Sequence, residues 1–209
     1  MRHLLVSALW ILSAGVATAA APSEAPREFV RDMADRVLVV LKNDSLDSDA
    51  KVAAIEEVAY ARFDFDTISR LVLARNWRKL DAKQQEDFTR EFKKHLTVTY
   101  GDNINSYANE TVDITGDREE PRGDWTVQTK IVRGSSSEDI FVDYRLRPRE
   151  GEWKVIDVVV ERISLVSNFR SQLQEIISRE GADAMIAKLA AKNASGESLF
   201  PEEEARSRR

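Results

Sequence analysis

The apolar positions of this chain change period along its length, and each change marks a different kind of element. Phe29, Met33, Val37, Val40 and Leu41 recur every third or fourth residue, which predicts an amphipathic helix ending near Asn43. A second helix begins around Asp49 and turns Val52, Ile55 and Val58 or Ala59 inward. The stretch 63–77, FDFDTISRLVLARNW, reads as a turn and a short helix, with Asp64 or Asp66 as cap and Ile68, Leu71 and Val72 inward. Asp81 caps the longest helix, whose stripe is Phe88, Phe92, Leu96, Tyr100, Ile104 and Tyr107. Gly101 is its weak point.

After Asn109 the period falls to two. Residues 111–115, 124–133, 139–147 and 152–163 are predicted strands, separated by Gly116, Pro121-Arg122-Gly123, Gly134-Ser135-Ser136-Ser137 and Pro148-Arg149-Glu150-Gly151. Connections this short imply an antiparallel meander. The last strand is apolar on both parities, Trp153, Val155 and Val159 against Ile156, Val158 and Val160, as expected of a strand covered on both faces. From Ser164, which stands where an N-cap would, Leu165, Phe169 and Leu173 return to helical spacing. The strand is therefore expected to run straight into a helix. Gly181 separates a final helix carrying Met185, Ile186 and Leu189.

Helices first and last with a sheet between them make the fold class α+β: a curved antiparallel sheet of about four strands wrapped by helices. Such a cone can be hollow. The stripes alone read first as solid core.

Composition narrows the class. The chain has 209 residues, a net charge of −5 and no cysteine. A pI near 5.3 argues against nucleic-acid binding, and the missing cysteines exclude disulfides and thiol chemistry. Arg2 and His3 precede an apolar run from Leu4 to Val16 and A-x-A sites at 17–19 and 19–21. Residues 1–21 thus read as a signal peptide, with a retained anchor as the alternative. One domain is expected over 22–193. Residues 194–209, polar and charged, are read as a disordered tail.

Chemistry is thin. Of the two histidines, His3 leaves with the leader and His95 stands alone on the long helix, a poor metal site. Nucleophile-elbow, phosphate-loop and HExxH patterns are absent, and helix capping accounts for Asp64 and Asp66. The residues describe an exported binding or structural protein rather than an enzyme, with no cofactor and no metal.

Two blocks carry a resemblance. Residues 63–107, FDFDTISRLVLARNWRKLDAKQQEDFTREFKKHLTVTYGDNINSY, and 142–173, VDYRLRPREGEWKVIDVVVERISLVSNFRSQL, are similar to the toluene-tolerance or MlaC family of periplasmic phospholipid-binding proteins. Ala74 and Arg162 depart from it, each standing where the family generally has glycine. The resemblance implies a soluble periplasmic carrier that shuttles phospholipid between an inner-membrane ABC transporter with an MCE-type subunit and an outer-membrane lipoprotein complex. A hopanoid or other polycyclic lipid is the alternative cargo, and a ligand-free exported interaction module the rival from another class. The protein is expected to act as a monomer.

With the resemblance, the expected hollow becomes an apolar lipid pocket. Strand parity and the long helix nominate Tyr100, Ile104, Tyr107, Val127, Ile131, Ile140, Val142, Tyr144, Val158, Val160, Leu165 and Phe169 as its lining. Asp157 and Arg170 are read either as a clamp tying helix to sheet or, for Arg170, as a bidentate contact to a lipid phosphate. Arg75, Arg78, Lys79 and Lys83, and Arg145, Arg147 and Arg149, are candidate docking charges.

Overall fold

A computed structural model describes residues 22–101, 109–133 and 138–200. Among them six α-helices and five strands follow in the order α1 (Pro26–Leu41), α2 (Ser48–Arg62), α3 (Phe65–Leu73), α4 (Ala82–Tyr100), β1 (Thr111–Glu119), β2 (Trp125–Val132), β3 (Ile140–Arg149), β4 (Glu152–Val160), β5 (Ile163–Ser164), α5 (Leu165–Glu180) and α6 (Ala182–Ser195). Residues 1–21, read above as a signal peptide, and Ile104, Tyr107 and residues 201–209 lie outside the described residues.

Helix starts follow local chemistry. The side chains of Asp47, Asp64, Asp81 and Ser164 each accept from a backbone N–H three residues on. Gln84 returns a bond to the Asp81 N–H and completes a capping box.

The strands form one antiparallel sheet in sequence order, β1-β2-β3-β4-β5. Two features of its last hairpin correct the expected continuous strand. Glu161 and Arg162 both take positive φ, 47° and 68°, and turn the chain so that Val160 pairs with Ile163. Two consecutive left-handed residues make a tight hairpin turn of the kind usually written with Asn or Gly. Without those residues, the turn was hidden inside a run of β-branched side chains.

The second feature is a bulge. Arg145 pairs with Asp157 but Leu146 pairs with Val155, which leaves Ile156 as the extra residue. The bulge resets parity, so Trp153, Val155, Val158 and Val160 all share one face. Apolar residues on both parities therefore record a bulge rather than simply a strand covered on both sides.

Two cores result. In one, Phe29, Val30 and Met33 of α1 pack on Val127, Leu146, Trp153 and Val155 of the sheet. The other is helical: Ile68, Val72, Phe88, Phe92, Val166, Phe169, Leu173, Met185 and Leu189 from α3, α4, α5 and α6. Phe63 packs against both, and a backbone bond from the Asp64 N–H to the Val155 carbonyl pins the α2–α3 junction to β4.

The boundary drawn at 193 falls short. Residues 194 and 195 complete α6, and Ser198, Leu199 and Phe200 fold back over the helical core. Phe200 keeps 7% of its surface, its ring 5.5 Å from that of Phe169. Polar composition concealed it: Leu199 and the buried Phe200 anchor a segment otherwise written in Ser, Gly and Glu.

Ala74 caps α3 at φ 49° and ψ −120°, a conformation that suits glycine. Replacing it should stabilise. Relief of about 1–3 kcal/mol of strain outweighs the roughly 0.4–1 kcal/mol of chain entropy that glycine adds to the unfolded state. Ala74→Gly is expected to raise the urea midpoint at unchanged slope; a lower midpoint would contradict the strain.

Candidate functional site

The inner face of the sheet can be read from its register. Val127, Tyr144 and Val158 stand in one row, Ile131 opposes Ile140, and Val142 lies between Thr129 and Val160. Val112 and Ile114 of β1 extend the face. One end is filled by α1, and Val127 there is 0% exposed.

The other end is not sealed. Ile131, Ile140, Tyr144, Val158 and Val160 are half-buried, as are Val37 and Leu41 of α1 and Val52, Ile55 and Val58 of α2. Helix α2 has no fully buried residue, yet Val58 packs on the sheet core and Val52 and Ile55 share its stripe. A close-packed layer drives such side chains towards zero exposure. These half-buried apolar side chains, beside the sealed Val127, mark a candidate apolar trough. Tyr144 lies in its middle row, and burial pushes its hydroxyl up to about 12.

The remaining nominated residues go elsewhere. Phe169 is 1% exposed in the helical core, edge-on to Phe92 at 5.2 Å, so it lines no trough. Leu165 and Tyr100 pack against the same helical cluster. Helical spacing shows that a residue faces inward but not which of two interiors it faces.

Asp157 and Arg170 do not pair. The Asp157 carboxylate accepts from Ser164 Oγ at 2.6 Å and from the Val166 N–H at 3.1 Å, holding the first turn of α5 on β4. Arg170 Nε donates to the Leu71 carbonyl at 2.9 Å, near the end of α3. Each ties α5 to a different element. The docking charges on β3 are engaged as well: Arg147 holds Asp124 through two bonds of 2.8 and 2.6 Å, and Arg149 holds Asp64 at 2.7 Å. Burial would raise the Asp64 carboxyl, but bonds from Thr67 and Arg149 outweigh it and hold the group below its ordinary 3.8.

A cleft of about 280 Å³ on another side is lined by Tyr60, Phe63, Asp64, Phe65, Asp66, Arg149 and Lys154. Lys93 sits 3.3 Å from the Tyr60 ring centre. Since Arg149 and Lys154 are already engaged, the cleft is braced rather than poised for an anion. Among the described residues no cluster of His, Asp and Glu could hold a metal ion.

A fold of this shape, with one apolar face left open beneath two helices, can be set beside known proteins. The model of the MlaC protein family matches residues 31–191. The chain belongs to the MlaC family. Toluene tolerance protein ttg2D of Pseudomonas putida is 25% identical over 188 residues, 88% of this chain and 87% of that protein. The intermembrane phospholipid transport system binding protein MlaC of Haemophilus influenzae is 23% identical over 121 residues, 56% of each chain. A phospholipid-binding protein from Ralstonia solanacearum, solved in complex with a phospholipid, superposes with a TM-score of 0.74. It is 24% identical and covers 83% of this chain and 99% of its own. For this MlaC-family chain that likeness establishes the shared fold.

Within the family, both glycine departures fall at positive φ, Ala74 at 49° and Arg162 at 68°. The turns survive the loss of glycine. What sequence reasoning missed is the contribution of α1 and α2: their stripes were seen, but not that Phe29, Val30, Met33 and Val58 pack on the sheet.

Proposed function

We propose that this chain is a periplasmic lipid carrier that takes phospholipid acyl chains into the trough between the sheet and helices α1 and α2. It shuttles them between an inner-membrane ABC transporter with an MCE-type subunit and an outer-membrane lipoprotein complex, after export on a cleaved leader, and catalyses no reaction. The half-buried apolar face carries this reading, and the phospholipid-binding names of the relatives support it.

The energetics fit a carrier. At about 0.8 kcal/mol per methylene, moving two acyl chains from bilayer to water costs on the order of 20 kcal/mol. A protein that offers an apolar lining need only match the bilayer, and it needs no concentrated head-group motif. Two of the family's motif residues, Asp157 and Arg170, accordingly serve helix packing.

Native mass spectrometry of the purified full chain tests the reading. The expected result is an adduct at the mass of a diacyl phospholipid, released by organic extraction. A polycyclic lipid in its place would change the cargo. Protein that stays lipid-free after exposure to phospholipid vesicles would favour the interaction module and overturn the carrier.

A further inference from the structure

The trough's inner face is apolar almost throughout, so each polar group on it needs an account. Thr129 closes its own, donating to the Val142 carbonyl at 2.8 Å. Asp117, further along β1, accepts from Trp125 Nε1 and from Arg27, each at 2.9 Å. Tyr144 is different. It lies in the middle row between Val127 and Val158, and its hydroxyl has no hydrogen-bond partner among the described residues.

Among the described residues, Ser69 Oγ alone is a fully buried side-chain polar atom without a partner. Tyr144 as a whole is half-buried, in a row shared only with the apolar Val127 and Val158. That row belongs to the sheet's inner face. Burial raises its pKa to about 12, so it is a neutral donor at any physiological pH.

We propose that the Tyr144 hydroxyl donates a hydrogen bond to an ester carbonyl of the lipid held in the trough, and so favours ester-linked glycerolipid over purely hydrocarbon cargo. This rests on the carrier reading above and names the class of its ligand. The choice of acceptor follows from the surroundings. A phosphate brought to this row would meet a neutral phenol among valines, with the face's Arg27 already spent on Asp117. A neutral carbonyl carries no such desolvation penalty. A tyrosine with no ligand role here is harder to account for, because an unpartnered hydroxyl among apolar groups destabilises relative to phenylalanine.

The experiment is competition of an ester-linked diacyl phosphatidylglycerol, and of its dialkyl ether analogue, against a fluorescent lipid bound to the purified full chain. A neutral hydrogen bond of about 1 kcal/mol corresponds to roughly fivefold. The wild type should prefer the ester lipid by about that factor. Tyr144→Phe should bring the ratio near one by weakening the ester lipid alone, with the thermal midpoint unchanged or raised. Equal affinities in the wild type, or a preference that survives the substitution, overturn the Tyr144 contact and leave the carrier standing. If neither lipid competes, the carrier reading falls and this inference falls with it.

Discussion

Replacing His95 with alanine is expected to cost on the order of 3–5 kcal/mol, because one buried ring joins three segments. The side chain has 0% exposure. Its Nε2 accepts the Leu199 N–H at 3.1 Å, so the ring proton sits on Nδ1 and is donated to Asn193 Oδ1 at 2.9 Å. Asn193 in turn donates to the Glu91 carbonyl at 2.9 Å and carboxylate at 3.1 Å. Truncation leaves a cavity and two unsatisfied groups, and it frees the segment that carries Phe200. Urea unfolding of His95→Ala measures the loss; a change below 1 kcal/mol would show that the C-terminal segment is not held there.

The same ring sets a pH dependence. Burial lowers the His95 pKa below its ordinary 6.5, with the Asn193 bond partly opposing it. The unfolded chain therefore binds the proton more readily. Stability from this group is full above about pH 6.5 and is lost as pH falls through the folded value. Protonation would set a second ring N–H against the Leu199 N–H. Glu91 is the nearby carboxylate, reached through Asn193, while Lys192 is paired with Glu197. The wild type should lose stability as pH falls below 6.5, and His95→Ala should be flatter there.

Much of this fold was written where local chemistry is concentrated. Asp81 and Ser164 announced their helices because a cap is a two- or three-residue event. The meander followed from short glycine- and proline-bearing connections. The strand faces were legible as well: Ile140, Val142 and Tyr144 do share a face, because parity is fixed by the pleat. The bulge at Ile156 and the turn at Glu161-Arg162 were not. Both depend on backbone angles that these residues adopt only under tertiary constraint. The division of the apolar residues between two interiors was equally hidden. Phe169 and Val158 look alike as inward positions, yet one meets Phe92 and the other faces the trough. His95 stood out only as a lone histidine, and nothing in its neighbours along the chain pointed to Leu199 or Asn193 a hundred residues away.

Val160→Trp should strip bound lipid from the chain while leaving it folded. Val160 is half-buried, opposite Val142 at the unsealed end of the inner face. In a packed core, an indole in place of an isopropyl group forces neighbours off their rotamers and costs about 1–3 kcal/mol or more. In an apolar trough the ring lies in space that acyl chains would use, and burying it offsets the lost contacts. Val72, 1% exposed in the helical core, provides the comparison. Val160→Trp is expected to hold its urea midpoint within about 1 kcal/mol of wild type, whereas Val72→Trp falls by more than that. Co-purifying lipid should drop at least about tenfold in Val160→Trp, equivalent to about 1.4 kcal/mol of lost affinity. If Val160→Trp instead destabilises as Val72→Trp does, the two interiors are packed alike. The half-buried face is then ordinary core, and the lipid must be sought elsewhere on the molecule.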